Sequence, residues 1–265
     1  MDDEVAVRCI AERIEAWYRT FALAQGMEHG GTDVEWVKPA PGGVGPAAVF
    51  RVALDPAHAS ERLDALTPQV AAGKPFGRPL PATWILTPAS TPANVRELLL
   101  ARGFEDVTKA SSPEPGMALD LAAAPALPEP DSWVKVRRVR PPGAFATWVD
   151  VMNDALHDPA IAAPAYRAWL DHPAYAFYLA YLGHLPVATA ATLREGDVAS
   201  IEFVGTRAAY RRRGAATAAC VQALRDLQAA GVRTVTVQSS AEAVSLYERL
   251  GFRTYFTLTA LVYPR

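Results

Sequence analysis

Residues 210–220 read YRRRGAATAAC. Three arginines run into a glycine, and then into small residues suited to opening a helix. The first turn of a helix presents unpaired N–H groups and a partial positive charge, so cations there are unfavourable. An anion between them resolves the conflict. A phosphate would use both the N–H groups and the guanidinium forks of Arg211, Arg212 and Arg213. Gly214 permits a tight turn and close backbone approach, and Ala215 and Ala216 keep that approach free of bulk. The plain alternative is a solvated basic turn, since arginines are common on surfaces.

Working outward, the loop lies between a strand pattern, VASIEFVGT (198–206), and a helix over about 214–230. That is the context an anion-binding loop requires. RTVTVQ (233–238) is a β-branched strand, SAEAVSLYERL (240–250) a helix closed by Gly251, and 252–263 a last strand. Upstream, 133–139 alternates as a strand, 142–157 and 164–171 read as helices, and 175–193 as two strands turning at Leu182-Gly183-His184. The segment 122–131, AAAPALPEPD, is rich in proline and alanine and has no apolar period, so it reads as a linker. It sets an expected division into domains 1–125 and 132–265.

The first half ends like the second. A strand (82–88), a helix (92–104) closed by Gly-Phe, and a strand (116–121) follow a long helix (4–24), strands at 33–38 and 48–54, and a helix at 59–72. Aligning the two Gly-Phe ends sets Gly103 against Gly251 and Leu99 against Tyr247. The region opposite the arginine loop falls near RLDAL (62–66), without a glycine and with one basic residue.

Bulk properties narrow the classes. A net charge of −2 argues against a broad grip on nucleic acid. The two cysteines, Cys9 and Cys220, make no disulfide framework or metal-type spacing, so no metal is expected. The acidic N-terminus lacks the order of a signal peptide, and no run of about 18 apolar residues appears. A cytoplasmic protein with no membrane partner, monomeric or homodimeric, is the expectation.

Two motifs together carry a resemblance. Arg211-Arg212-Arg213-Gly214-Ala215-Ala216 is similar to the acetyl-CoA loop Q/R-x-x-G-x-G/A of the GNAT superfamily of N-acetyltransferases. Ser240 to Phe252 is similar to their N-x-x-A-x-x-L-Y-x-x-L-G-F helix, with serine for asparagine. The resemblance covers roughly half the chain. It implies an α/β fold with a mixed, largely antiparallel sheet flanked by helices, and an N-terminal half like the degenerate lobe of some two-lobed members. An accessory domain of unrelated origin is the alternative.

The resemblance also implies roles. Strand 198–206 would splay from 233–238, and the pantetheine arm of acetyl-CoA would pair with backbone near Val204, Gly205 and Thr206. The pyrophosphate would sit on N–H groups from Arg212 to Thr217. Ser240 would stand where the family's asparagine contacts the cofactor. Tyr247 would protonate the departing thiolate; its helical spacing with Ala243, Leu246 and Leu250 equally fits a core residue. An amine of pKa about 10 needs a base before it attacks a thioester. Glu202, a carboxylate within SIEFV, is the first candidate, and an outward-facing acid or an arginine's structural partner is its other reading. Asp154, His157 and Asp158 are further candidates.

The implied activity is acetyl transfer from acetyl-CoA to a primary amine, the acceptor being a small molecule or a peptide. The competing class is a CoA-binding regulatory protein without turnover. Trp148, Trp169, Tyr178 and Tyr181 either wall an acceptor pocket or form core.

Overall fold

The computed structural model describes residues 1–24, 26–40, 47–71, 80–109, 114–124, 126–140, 142–156 and 167–264. The chain forms two compact units, Met117–Thr254 with Met1, and Asp2–Gly116 with Tyr255–Arg265.

The first unit in chain order contains α1 (Asp3–Ala24), β1 (Glu28–Gly30), β2 (Val34–Lys38), β3 (Ala48–Val52), α2 (Ala59–Ala71), β4 (Thr83–Leu86), α3 (Val95–Leu100) and β5 (Glu105–Asp106). Strand β6 (Pro115–Asp120) follows. The segment 133–264 contributes β7 (Val134–Arg138), α4 (Pro142–Leu156), α5 (Arg167–Leu170), β8 (Tyr175–Leu182), β9 (Leu185–Glu195), β10 (Val198–Thr206), α6 (Ala215–Ala229), β11 (Thr234–Gln238), α7 (Val244–Arg249), β12 (Arg253–Thr257) and β13 (Thr259–Val262).

The strands form two sheets, in the orders β1-β2-β3-β4-β13-β5 and β12-β6-β11-β10-β9-β8-β7. The strand expected over 252–263 is therefore two strands. They part at Leu258, β13 pairs antiparallel with β4 and β5, and β12 joins the other sheet. Strand β6 precedes the linker yet lies in the seven-stranded sheet. Strands thus cross the expected boundary in both directions. A linker composition reports local stiffness, while strand membership is set by pairing partners distant in sequence.

In the seven-stranded unit the helices supply apolar faces to a sheet of small residues. Ala215, Ala218, Ala219 and Ala223 of α6 pack with Ala188 and Ala190 of β9. The opposite side of α6, through Cys220, Val221 and Leu224, packs with Met117, Leu119, Ile201 and Tyr247. Helix α4 buries Phe145, Trp148, Val149 and Met152, and the Trp148 Nε1–H donates to the Ala190 carbonyl at 3.2 Å. Trp148, Trp169 and Tyr178 are all buried, with the Tyr178 hydroxyl donating to Asp226 at 3.0 Å. Trp148 and Trp169 are core, as burial of their large area favours, and Tyr178 is buried beside a small cavity that Arg138, Thr192 and Asp226 also line. Tyr181 is half-buried, with Arg137 over its ring.

In the other unit, Val49, Val52, Leu63, Trp84, Leu99 and Leu261 form the centre of the core. Helix α3 is shorter than the 92–104 expected, and RLDAL lies inside α2. The loop that opens α2 is Asp55–His58, so that loop and not 62–66 stands opposite the arginines.

Candidate active site

Strand β10 pairs antiparallel with β9 over its length and parallel with β11 only at Val198↔Thr234, Ala199↔Val235 and Ser200↔Thr236. Both strands run on past that point, β10 to Thr206 and β11 to Gln238. The register therefore opens a wedge after Ser200, with Ile201–Thr206 along one side.

A bulge reinforces the opening. The register of β10 against β9 slips between Glu202 and Gly205, and Phe203 takes a left-handed φ of 52°. A non-glycine residue there costs on the order of 1–2 kcal/mol, so contacts must hold it. The buried Thr189 hydroxyl donates to the Phe203 carbonyl at 2.8 Å, and the Phe203 ring packs on Trp148 and Trp169 at 5.8 and 5.2 Å. Gly205 faces α4 so closely that a Cβ would sit 2.8 Å from the Ala155 Cβ. Nothing in SIEFVG marks the bulge except that glycine, whose close approach to a helix has its own packing reason.

A single turn of 3-10 helix (Ala208–Tyr210) leads from β10 to the arginines. Arg212 has φ 59° and Gly214 φ 76°. Left-handed residues in such a turn curve main-chain N–H groups into an anion-binding concavity. Helix α6 starts at once, and no side chain caps it. A Cβ at Gly214 would lie 2.9 Å from the Asp131 carboxylate.

The three arginines divide. All are exposed. Arg211 Nε donates to the Thr206 carbonyl at 3.2 Å and its Nη2 reaches the Ala155 carbonyl at 3.5 Å, bracing the end of β10 against α4. Arg213 lies over the Tyr210 ring, 5.7 Å from its centroid. Thr217 stands in the first turn of α6 and Val204 is half-buried between the two halves of the core.

Tyr247 sits on α7 at 3% exposure, packed edge-on to Phe252. Burial, then Cys220, then the Glu202 carboxyl push its phenol well above 10, so it is protonated across the neutral range. Its hydroxyl makes no hydrogen bond to another described residue. Glu202 is half-buried on β10, opposite Ala191 and immediately before the bulge. Ser240 is exposed, at the turn that leads into α7, and its carbonyl accepts the Ser239 hydroxyl at 2.7 Å.

Asp154 belongs elsewhere. It pairs with Arg207 at 3.4 Å, alongside Asp150, so its charge is committed to the base of β10 and α4. His157 and Asp158 lie outside the described residues. Among the described residues no cluster of His, Cys, Asp and Glu could hold a metal ion, and no helix is long and apolar enough to cross a membrane.

Comparisons agree with this arrangement. Residues 144–252 match the acetyltransferase (GNAT) family. A GCN5-related N-acetyltransferase from Kribbella flavida superimposes with a TM-score of 0.67 at 20% identity, over 98% of this chain and 96% of that one. A GCN5-related N-acetyltransferase from Sphaerobacter thermophilus gives 0.53 at 20% identity, over 68% and 57%. A structure from Novosphingobium aromaticivorans, described as of the GNAT family, gives 0.50 at 18% identity, over 96% and 99%. No curated protein matches the chain. The wedge, the bulge and the arginine-led helix all fall inside the matched residues, and the segment 144–252 is a GNAT-family acetyltransferase domain.

Proposed function

We propose that this protein transfers the acetyl group of acetyl-CoA to a primary amine by direct attack of the amine on the thioester. The observation that carries the reading is the wedge between β10 and β11, which leads from the last pair, Ser200↔Thr236, to the uncapped start of α6.

The residues fit the cosubstrate. The pantetheine amides would add to the edge of β10 at Val204, Gly205 and Thr206, as an extended peptide adds to a sheet. The pyrophosphate would meet the N–H groups of Arg212, Arg213, Gly214, Ala215, Ala216 and Thr217. Arg212 and Arg213 supply the charge for its phosphates. Arg211, committed to Thr206 and Ala155, holds the loop in place. Ser240 flanks the wedge from the β11 side.

Glu202 takes the proton of the attacking ammonium group. The C–N bond forms as the C–S bond breaks, Tyr247 gives its proton to the departing sulfur, the extra proton on the new amide nitrogen returns to the tyrosinate, and Glu202 releases its proton to solvent. The phenol is suited to this because burial keeps it protonated. A thiol of pKa about 8.5 is a fair leaving group, so the acid assists rather than dominates.

The test is release of free thiol from acetyl-CoA against a panel of amino acids, polyamines, aminoglycosides and peptides. Release with one class identifies the acceptor. Tight acetyl-CoA binding with no release for any amine would reduce the protein to a CoA-binding regulator.

A further inference from the structure

Ser200 occupies the vertex of the wedge. It is the last residue of β10 paired with β11, opposite Thr236. It is 2% exposed. Its Oγ is buried and has no hydrogen-bond partner among the described residues. A buried hydroxyl without a partner costs stability, and alanine or cysteine would fill the same space without the cost. Such a group calls for an explanation, and an ordered water is the commonest one.

The strand geometry says what that water would meet. The register runs Ser200↔Leu193, Ile201↔Thr192, Glu202↔Ala191 and slips only afterwards, so the alternation of faces holds through Glu202. Ser200 and Glu202 therefore share a face of β10, about 6.6 Å apart along the strand. One bridging water spans the two side chains at that separation. The widening gap beyond Thr236 supplies main-chain groups as its remaining partners, and a buried water needs two to four.

We propose that Ser200 is a positioning residue for the acyl transfer: its hydroxyl holds a water at the vertex of the wedge that donates a hydrogen bond to the Glu202 carboxylate. The inference rests on the reading of Glu202 as the base. The water orients the carboxylate toward the open end of the wedge and stabilises its charged form. The other titratable groups on elements around β10 are Arg194 and Glu195 on β9, Cys220, Arg225 and Asp226 on α6, Tyr247 on α7, and Asp150 and Asp154 on α4 with Arg207 at the end of β10. Arg194 and Glu195 are exposed, Arg225 pairs with Glu129 at 2.6 Å, and Asp226 accepts from Tyr178 and Gln222 at 3.0 and 2.8 Å. Cys220 and Tyr247 stay neutral near pH 7 because burial raises both. Asp150 and Asp154 are engaged with Arg207. Glu248 and Arg249 of α7 are exposed.

The experiment follows the Glu202 carboxyl by carbon NMR through a pH titration of the full chain, its signal assigned by loss in Glu202→Gln. Ser200→Ala should make Glu202 bind its proton several-fold more tightly, because a hydrogen bond to the charged form is lost. Ser200→Thr, which keeps the hydroxyl, should titrate like the parent. An unmoved titration in Ser200→Ala overturns the proposal, and so does a Ser200→Thr variant that titrates like Ser200→Ala. With an amine substrate, the acidic limb of kcat/KM should move to higher pH in Ser200→Ala while KM for acetyl-CoA is unchanged. Glu202→Gln that keeps the acidic limb sinks the base assignment and this proposal together. Failure of every amine sinks the acyl-transfer reading alone, because the titration reads the Ser200–Glu202 link without turnover.

Discussion

Helices α3 and α7 end alike. Gly103 and Gly251 have φ of 87° and 92°. The Phe104 N–H donates to the Leu99 carbonyl at 3.3 Å, and the Phe252 N–H to the Tyr247 carbonyl at 3.0 Å. Leu99 is fully buried and Tyr247 nearly so. One backbone thus carries leucine in one unit and tyrosine in the other. The likeness extends to the sheets, where β1-β2-β3-β4-β13-β5 matches β8-β9-β10-β11-β6-β12 in order, with β7 added beyond β8. Two antiparallel pairs precede one parallel pair in both, β3 with β4 and β10 with β11.

The two units part at the parallel pair. Beyond Val49↔Trp84, the edge of β3 is taken by its own chain. The Thr91 N–H donates to the Val52 carbonyl at 3.0 Å, the Leu54 N–H to the Thr91 carbonyl at 3.1 Å, and the Thr91 hydroxyl to the Leu54 carbonyl at 3.2 Å. Before α2, Asp55 accepts the Ala57 N–H at 3.1 Å and contacts His58. Where β10 parts from β11 after Ser200 and α6 starts without a side-chain cap, β3 has an internal partner in Thr91 and α2 an acidic turn before it. A shared plan therefore does not imply a shared site, because a ligand needs main-chain groups that the chain has not already used.

The comparison can be broken most directly at Glu202, whose place in β3, two residues past the last parallel pair, is taken by Arg51. Glu202→Gln should slow turnover by about 10²–10⁴-fold with acetyl-CoA affinity nearly unchanged, read from steady-state rates and calorimetry. Retained turnover would move proton removal to another group. Next is the loop. Calorimetry should give one acetyl-CoA site per chain, and Gly214→Val should remove it, since a β-branched residue at φ 76° costs about 1–3 kcal/mol and crowds Asp131. Two sites of similar affinity would mean that the closed edge of β3 opens.

Tyr247→Phe makes the α7 end chemically like that of α3. Turnover should fall, and less so for an acyl donor with a more acidic thiol. Stability near pH 7 should change by no more than about 1 kcal/mol, because the hydroxyl has no hydrogen-bond partner among the described residues to lose. At alkaline pH the variant should gain on the parent. Burial raises Tyr247 well above 10 and Cys220 to about 12, so the folded chain keeps protons that the unfolded chain releases above about pH 9 to 10. Stability then falls as pH rises through that window, and removing one such group flattens the fall in a denaturation series. The smallest effect is at Thr91. Thr91→Ala should cost about 1 kcal/mol in denaturant unfolding and leave acetyl-CoA affinity unaltered. A loss of affinity would connect the closed edge to the cofactor site.

Local pattern made the strands and helices of 133–250 legible, because period and turn residues act within a few positions. The Arg211–Ala216 loop and the Gly-Phe helix ends were legible for the same reason: a helix start and a left-handed cap need particular residues at particular steps. Tyr247 was legible in position and ambiguous in role, and the fold makes it both core and neighbour of Glu202. The split of 252–263 at Leu258 was not legible, since both halves have strand composition and only the available partners send β12 and β13 to different sheets. Nor was the left-handed bulge at Phe203, which depends on a threonine of β9 and two tryptophans from α4 and α5. The sequence alone determined which segments would be regular and where an anion could meet a helix. Tertiary structure alone decided which strand edge stays open, because a backbone group is available to a ligand only when no distant part of the chain has paired with it.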